Sequence, residues 1–221
     1  NFTQFLGPFK LRATHSTGLK NASLYELYGN TGQKSINPEK SETNEIYGEY
    51  NFSENIKFSS TAYRTRMKDR IKINSSWSAY ENKVPDTTQE GLENELTFSG
   101  KEHNISIFSH FAKSRTAANG PNSRRPDVSY GVNYSKKFNL PEYGPFDLNL
   151  NHRFIGDHID WTGSKNEFVK SVDILDMSIR KNWYGNIISL NFTNLLNERY
   201  EKPATYSQDG RMLSLGFRKA Y

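Results

Sequence analysis

The sequence predicts an all-β chain, a transmembrane antiparallel up-and-down β-barrel, and three observations carry that expectation. Apolar and polar residues alternate with a period of two along most of the chain, the mark of strands with one buried face. Short and long polar connections alternate between these stretches, and aromatics gather near their ends, as in barrels whose rims meet a membrane interface. The last stretch carries Leu213, Leu215 and Phe217 on one face and closes on Tyr221, where a chain end would ordinarily fray.

Composition fits a fold without a thick aliphatic core. Hydrophobic residues make up 34% of the 221, yet aromatics alone reach 14%. Mean hydropathy is well below zero, but disordered chains are poor in aromatics. No run approaches the ~18 apolar residues of a membrane helix; a membrane strand needs apolar residues on one face only. The net charge of +5 comes from 29 basic and 24 acidic residues interspersed along the chain, so no nucleic-acid partner is expected. The absence of cysteine excludes disulfides and thiolate metal sites. The opening "NFTQFLGPF" has neither initiator Met nor leader pattern, so the expectation is a removed leader or a start within a longer protein.

About ten strands are expected, near 8–16, 41–51, 56–73, 90–99, 105–115, 127–139, 146–160, 171–183, 187–206 and 210–221. Phe9, Leu11 and Ala13 oppose Lys10 and Arg12; Ile46, Tyr50 and Phe52 oppose Tyr47, Glu49 and Asn51. The pattern blurs in 56–73, where Tyr63, Arg64, Arg66 and Met67 suit neither face. Val128, Tyr130, Val132, Tyr134, Lys136, Phe138 and Leu140 share one face of the 127–139 strand, against Ser129, Gly131, Asn133, Ser135, Lys137 and Asn139. Phe146, Leu148, Leu150 and Phe154 alternate with Asp147, Asn149, Asn151 and Arg153. Leu175, Met177, Ile179 and Trp183, then Ile188, Leu190 and Phe192, repeat the pattern. Short connections cover 51–55, 100–104, 140–145 and 184–186; long ones cover roughly 17–40, 74–90, 116–126 and 161–170. Without a linker or composition break, 1–221 reads as one domain.

A soluble sandwich and a membrane barrel both use such strands. The sandwich packs apolar faces together; the barrel turns them to lipid and its polar face to the lumen. Short turns against long loops, with Tyr143, Trp161, Trp183 and Tyr184 near strand ends, favour the barrel. Leu213, Leu215, Phe217 and Tyr221 resemble the assembly signal of outer-membrane proteins, although Lys219 breaks the row.

Three longer stretches carry a family resemblance. "KLRATHSTGLKNASLYELYG" (10–29), "NPEKSETNEIYGEYNFSENIKFSSTAYRTRMKDRIKI" (37–73) and "LNFTNLLNERYEKPATYSQDGRMLSLGFRKAY" (190–221) resemble the carboxy-terminal barrel of TonB-dependent receptors, and "RRPDVSYGVNY" (124–134) fits in order. The resemblance implies a barrel of about 22 strands around an amino-terminal plug, of which 1–221 would be the carboxy-terminal part, the plug lying outside it. It also implies location in a Gram-negative outer membrane, coupling to the TonB complex through the plug, and uptake of a ferric siderophore or cobalamin. Where haem receptors often carry a "FRAP…NPNL" pair, this chain reads "LKNAS" and "NPEKS", which weakens a haem reading.

No catalytic constellation or metal-ligand spacing appears. His15, His103, His110, His152 and His158 are scattered, and "GDHIDW", with Asp157, His158 and Asp160, reads as a solvated loop-end cluster. Neither enzyme activity nor a protein-held cofactor is expected. Long loops suit ligand contact instead. Arg124 and Arg125 could fork onto an anionic ligand, form a solvated loop base or pair with lipopolysaccharide phosphates. Trp77, Tyr80 and Tyr206 could offer aromatic surface to a macrocycle, against the reading of interfacial-girdle or loop-packing residues. Asn194, Leu195 and Tyr200 match the family motif and are expected to shape the strand rather than touch ligand. The competing readings are a soluble β-sandwich carbohydrate-binding module and an outer-membrane barrel enzyme.

Overall fold

The computed structural model describes residues 1–82, 86–116, 124–162 and 165–219. β1 (Phe2–Leu6) and β2 (Phe9–Lys20) are followed by the short helix α1 (Leu24–Tyr28), then β3 (Glu39–Asn51) and β4 (Ile56–Lys68). Two short strands, β5 (Lys72–Ile73) and β6 (Tyr80–Glu81), precede β7 (Thr87–Ser99), β8 (His103–Thr116), β9 (Val128–Leu140) and β10 (Gly144–Ile155). After β11 (His158–Trp161) and β12 (Asn166–Val169) come β13 (Val172–Trp183), β14 (Asn186–Thr193) and β15 (Met212–Arg218). Eleven strands form one sheet in the order β1-β2-β3-β4-β7-β8-β9-β10-β13-β14-β15, while β5–β6 and β11–β12 pair separately. Among the described residues no helix is long and apolar enough to cross a membrane.

The sheet holds eleven strands where about ten were expected, and the differences have local causes. β1 was missed because Phe2, Phe5 and Leu6 place apolar groups on both faces; pairing with β2, from Phe2↔Ala13 to Leu6↔Phe9, defines it. The expected 56–73 strand ends at Lys68, because Asp69 takes a positive φ of 55°. The expected 146–160 strand breaks at Gly156, whose amide turns to donate to the Val128 carbonyl at 2.8 Å. The expected 187–206 strand stops at Thr193, before Asn194 at φ 51°.

The described chain divides into two compact units that cut across strands, not at a linker: Asn1–Gly48, Thr61–Leu92 and Ala112–Asn122 in one, Glu49–Ser60, Glu93–Phe111 and Ser123–Tyr221 in the other. In the first unit, strand neighbours are tied by Thr43–Thr65 at 2.9 Å, His15–Asn44 at 2.8 Å and the Arg64–Glu90 ion pair at 3.1 Å. Its long connections are 21–38 and 69–86, the second holding β5 and β6.

In the second unit the strand register aligns the alternating faces across five strands. One face carries the rows Tyr134–Leu150–Met177–Phe192–Leu213 and Lys136–Leu148–Ile179–Leu190–Leu215. A third row runs Phe138–Phe146–Lys181–Ile188–Phe217, and the Lys181 ammonium lies 4.8 Å from the centre of the Phe146 ring, a cation–π contact that lets a charge sit in an apolar row. The opposite face carries Ser135–Asn149–Ser178–Asn191–Ser214. There Gly131 leaves room for Phe108: a Cβ at 131 would lie 2.6 Å from the Phe108 ring. β13 and β14 are joined by Tyr184 and Gly185 alone, at φ 49° and 77°, the two positive values that a tight hairpin turn requires.

The apolar rows have no second layer over them among the described residues. Leu213, Leu215 and Phe217 are 61%, 76% and 66% exposed, where burying each such side chain would be worth ~1.5–3 kcal/mol. The buried apolar residues of this unit are Val169, Val172, Ile174 and Ala204, with the polar Asp160 and Asn194 beside them in the chain's burial order. Five of the six belong to, or border, the long connections 156–171 and 194–211, and Ile174 lies among the first residues of β13. Interior packing therefore sits at the loop end of the strands, and the sheet itself awaits an apolar solvent on one face.

Candidate ligand-binding site

In the first unit two connections are stitched into one aromatic platform. Ser23 caps α1: its hydroxyl accepts from the Glu26 amide at 3.2 Å while the Glu26 carboxylate accepts from the Ser23 amide at 2.7 Å, a reciprocal capping box. The Ser23 amide and then its hydroxyl hold the Glu26 carboxyl below its ordinary range, aided by Lys20 and opposed by partial burial. Asn82 then clamps the end of the 21–38 connection: its carbonyl accepts from the Asn37 amide at 2.7 Å, and its amide donates to Asn37 O at 3.0 Å and Asp69 O at 2.6 Å. The Tyr80 amide donates to Thr31 O at 3.0 Å.

Tyr80 lies on β6 opposite Ile73, with its ring edge-on to Tyr25 at 6.2 Å. Asn74 closes the β5–β6 tip by accepting from the Ser78 amide at 2.9 Å and donating its own amide to Ala79 O at 2.9 Å. Trp77 rides that tip at φ 57°, 61% exposed. Of the aromatic residues expected to meet ligand, Trp77 and Tyr80 therefore share one hairpin. Tyr25 and Tyr28, both exposed, were not anticipated; the Ser23-x-x-Glu26 spacing was the available signal for the helix that carries them.

In the second unit a single carboxylate gathers three connections. Asp160, on β11, is 1% exposed. Its Oδ1 accepts from Arg124 Nε at 2.6 Å and from the Trp161 amide at 2.7 Å, and its Oδ2 accepts from the Ala204 amide at 2.9 Å. The Arg124 amide donates to Ile159 O at 2.8 Å. Burial pushes the Asp160 pKa up, but the Arg124 hydrogen bond, the two backbone amides and the Arg124 charge outweigh it and leave the carboxyl below its usual range. A group so depressed contributes stability above its unfolded pKa and loses it as pH falls through the folded value. Fluorescence of Trp161 should therefore stay constant through mildly acid pH and change only below the ordinary carboxylate range; a transition near pH 6 would contradict this ionic assignment.

The 194–211 connection is organised from its base. Asn194, 5% exposed, donates to Glu198 O at 2.9 Å and Asp209 O at 3.1 Å and accepts from the Glu198 amide at 3.0 Å. Its own amide donates to Asp176 Oδ1 at 2.9 Å, and Asp176 also pairs with Arg153 at 3.0 Å. The sequence led us to expect Asn194 to shape a strand; it lies instead just past the end of β14 and organises the connection that follows. Asn197, at φ 57°, accepts from the Arg211 amide at 3.0 Å. Tyr206, 66% exposed, sits at the far end, where its amide donates to Pro203 O at 3.1 Å.

The structure thus brings Arg124 and the Tyr206-bearing connection onto one carboxylate, with Arg125 next in sequence, while Trp77 and Tyr80 lie in the other unit. Asp160, read from sequence as part of a solvated cluster, is instead a buried junction; His158 only approaches Gly156 O at 3.3 Å. Leu213, Leu215 and Phe217 lie on β15, and Tyr221 lies outside the described residues. Among the described residues no group of side chains could hold a metal ion.

The family model "TonB dependent receptor-like, beta-barrel" matches residues 1–195. The chain belongs to the TonB-dependent receptor β-barrel family. It is 22% identical, over 97% of its length, to the vitamin B12 transporter BtuB of Vibrio cholerae and spans 35% of that relative. Its fold is similar to the FrpB iron transporter of Neisseria meningitidis, with TM-score 0.78 and 13% identity over 98% of this chain and 38% of that one. It is likewise similar to the ferric yersiniabactin uptake receptor FyuA of Yersinia pestis, with TM-score 0.77 and 16% identity over 97% and 35%. The sheet is accordingly part of a bacterial outer-membrane barrel, and the soluble sandwich is set aside.

Proposed function

We propose that this chain is the carboxy-terminal barrel part of an outer-membrane receptor that takes up a ferric siderophore or vitamin B12, driven by the TonB complex through a plug domain encoded elsewhere in the protein. The observation that carries the reading is the asymmetry of the sheet: turns of two to four residues at one end, long connections with their own hydrogen-bonded cores at the other. Such built loops suit capture of a ligand too large for an open pore. Arg124 and Arg125 serve an anionic ligand; Trp77, Tyr80 and Tyr206 serve an apolar or macrocyclic one. Outer-membrane lipid and lipopolysaccharide surround the apolar face. The protein carries its metal only inside the ligand and performs no covalent chemistry; its relatives named above are transporters and a receptor.

The test uses the full-length protein in a strain lacking it, with radiolabelled vitamin B12 and ferric yersiniabactin as probes. One probe should accumulate in energised cells, and a protonophore should abolish accumulation while leaving surface binding. Accumulation that survives the protonophore, or none of either probe, would count against energised uptake of this ligand class.

A further inference from the structure

We propose that Asp160 is a positioning residue for ligand capture, locking the 194–211 connection against the β11–β12 hairpin so that Tyr206 is presented in one place. The inference rests on the uptake reading above. Its ground is the convergence of donors from three separate segments on one carboxylate: Arg124 Nε from the segment before β9, the Trp161 amide from β11 itself, and the Ala204 amide from the 194–211 connection. A carboxylate removed from water in this way persists only when paired and fully hydrogen-bonded, so these segments keep their relative placement as long as it is ionised.

The far end of the connection moves as one piece. Glu201 and Ser207 form a β-bridge, the Lys202 amide donates to Tyr206 O at 3.0 Å, and the Thr205 amide donates to the Glu201 carboxylate at 2.7 Å. Anchoring Ala204, which is 4% exposed, therefore anchors exposed Tyr206. At the base, Asn194 and Asn197 join the two arms. Without the Asp160 contact the end piece would lose its hydrogen bond to β11 and rest on the bonds between the two arms, Gln208–Tyr200 among them. Ligand would then meet a mixture of loop positions, and apparent affinity falls by the fraction that is competent.

The experiment exploits the absence of cysteine from this chain. In the full-length receptor, freed of any other cysteine, spin labels at Lys165→Cys and Lys202→Cys report the distance from the hairpin to the end of the connection. The expected result is a narrow distribution that Asp160→Asn broadens, in protein whose surface level is unchanged. Whichever of vitamin B12 and ferric yersiniabactin binds the parent should bind the variant roughly three- to tenfold more weakly through slower association, with dissociation unaltered. An unchanged distance distribution overturns the lock; a broadened one with unchanged association overturns its role in capture. If neither probe binds the parent, the uptake reading fails while the distances still decide the lock. Should Asp160→Asn not assemble, hydrogen exchange on the parent decides: the 203–206 peptide must be protected as well as β11, and rapid exchange there overturns the proposal.

Discussion

Leu215→Arg should largely abolish surface assembly of the full-length receptor, while Ser214→Arg, one residue away, should leave assembly near normal. The strand register makes the contrast sharp. Leu215 pairs with Leu190, which aligns with Ile179 and Leu148 across the apolar face; Ser214 pairs with Asn191 on the polar face. An arginine near the bilayer midplane costs about 2–4 kcal/mol and an acidic residue less, so Phe217→Asp should show a weaker form of the same defect. Against a total stability on the order of 5–15 kcal/mol for a folded protein, the arginine penalty is enough to divert most chains before insertion. The measurement is the heat-modifiable fraction on a denaturing gel together with surface labelling of intact cells. Equal assembly of Leu215→Arg and Ser214→Arg would reverse or erase the face assignment.

Asn194→Ala should open the 194–211 connection without preventing the barrel from forming. The substitution leaves the Glu198 amide, Glu198 O and Asp209 O without the partner that now satisfies them. A fully buried polar group so orphaned costs about 1–3 kcal/mol; Glu198 and Asp209 are exposed residues, so water recovers part of that here. Alanine also tolerates φ 51° less well than asparagine. A net loss on the order of 2–4 kcal/mol falls on the loop rather than the sheet, because β14 and β15 keep their own ladder from Ile187↔Arg218 to Thr193↔Met212. Trypsin added to whole cells should then cut at Arg199 much faster than in the parent. Glu198→Ala, which keeps its backbone bonds, should behave like the parent. Indistinguishable cleavage of Asn194→Ala and parent would show that the asparagine does not hold the connection.

Alternation was enough to recover the strands that obey it. From β9 onward most apolar positions read from the sequence recur in cross-strand rows, because a strand with one apolar face must repeat every second residue; Phe154 opposite Asp173 and Leu175 opposite His152 are exceptions. It failed where another constraint governs the backbone. β1 has apolar residues on both faces and is defined by its pairing with β2. Asp69, Gly156 and Asn194 end strands whose hydropathy pattern would continue past them.

The sequence alone determined the class of the fold, its apolar face and the family, since each depends on short-range periodicity or on motifs read in order. The loop connections were named by length and polarity, whereas Asn194, expected to shape a strand, instead closes the connection after β14. Only the tertiary structure could decide what Asp160 and Asn82 do. Each joins segments far apart in the chain, Asp160 to Arg124 and Ala204, Asn82 to Asn37 and Asp69. An aspartate in "GDHIDW" looks the same whether it faces water or three donors. Which of the two it does depends on where distant chain segments return, and that is a property of the folded sheet that no local pattern encodes.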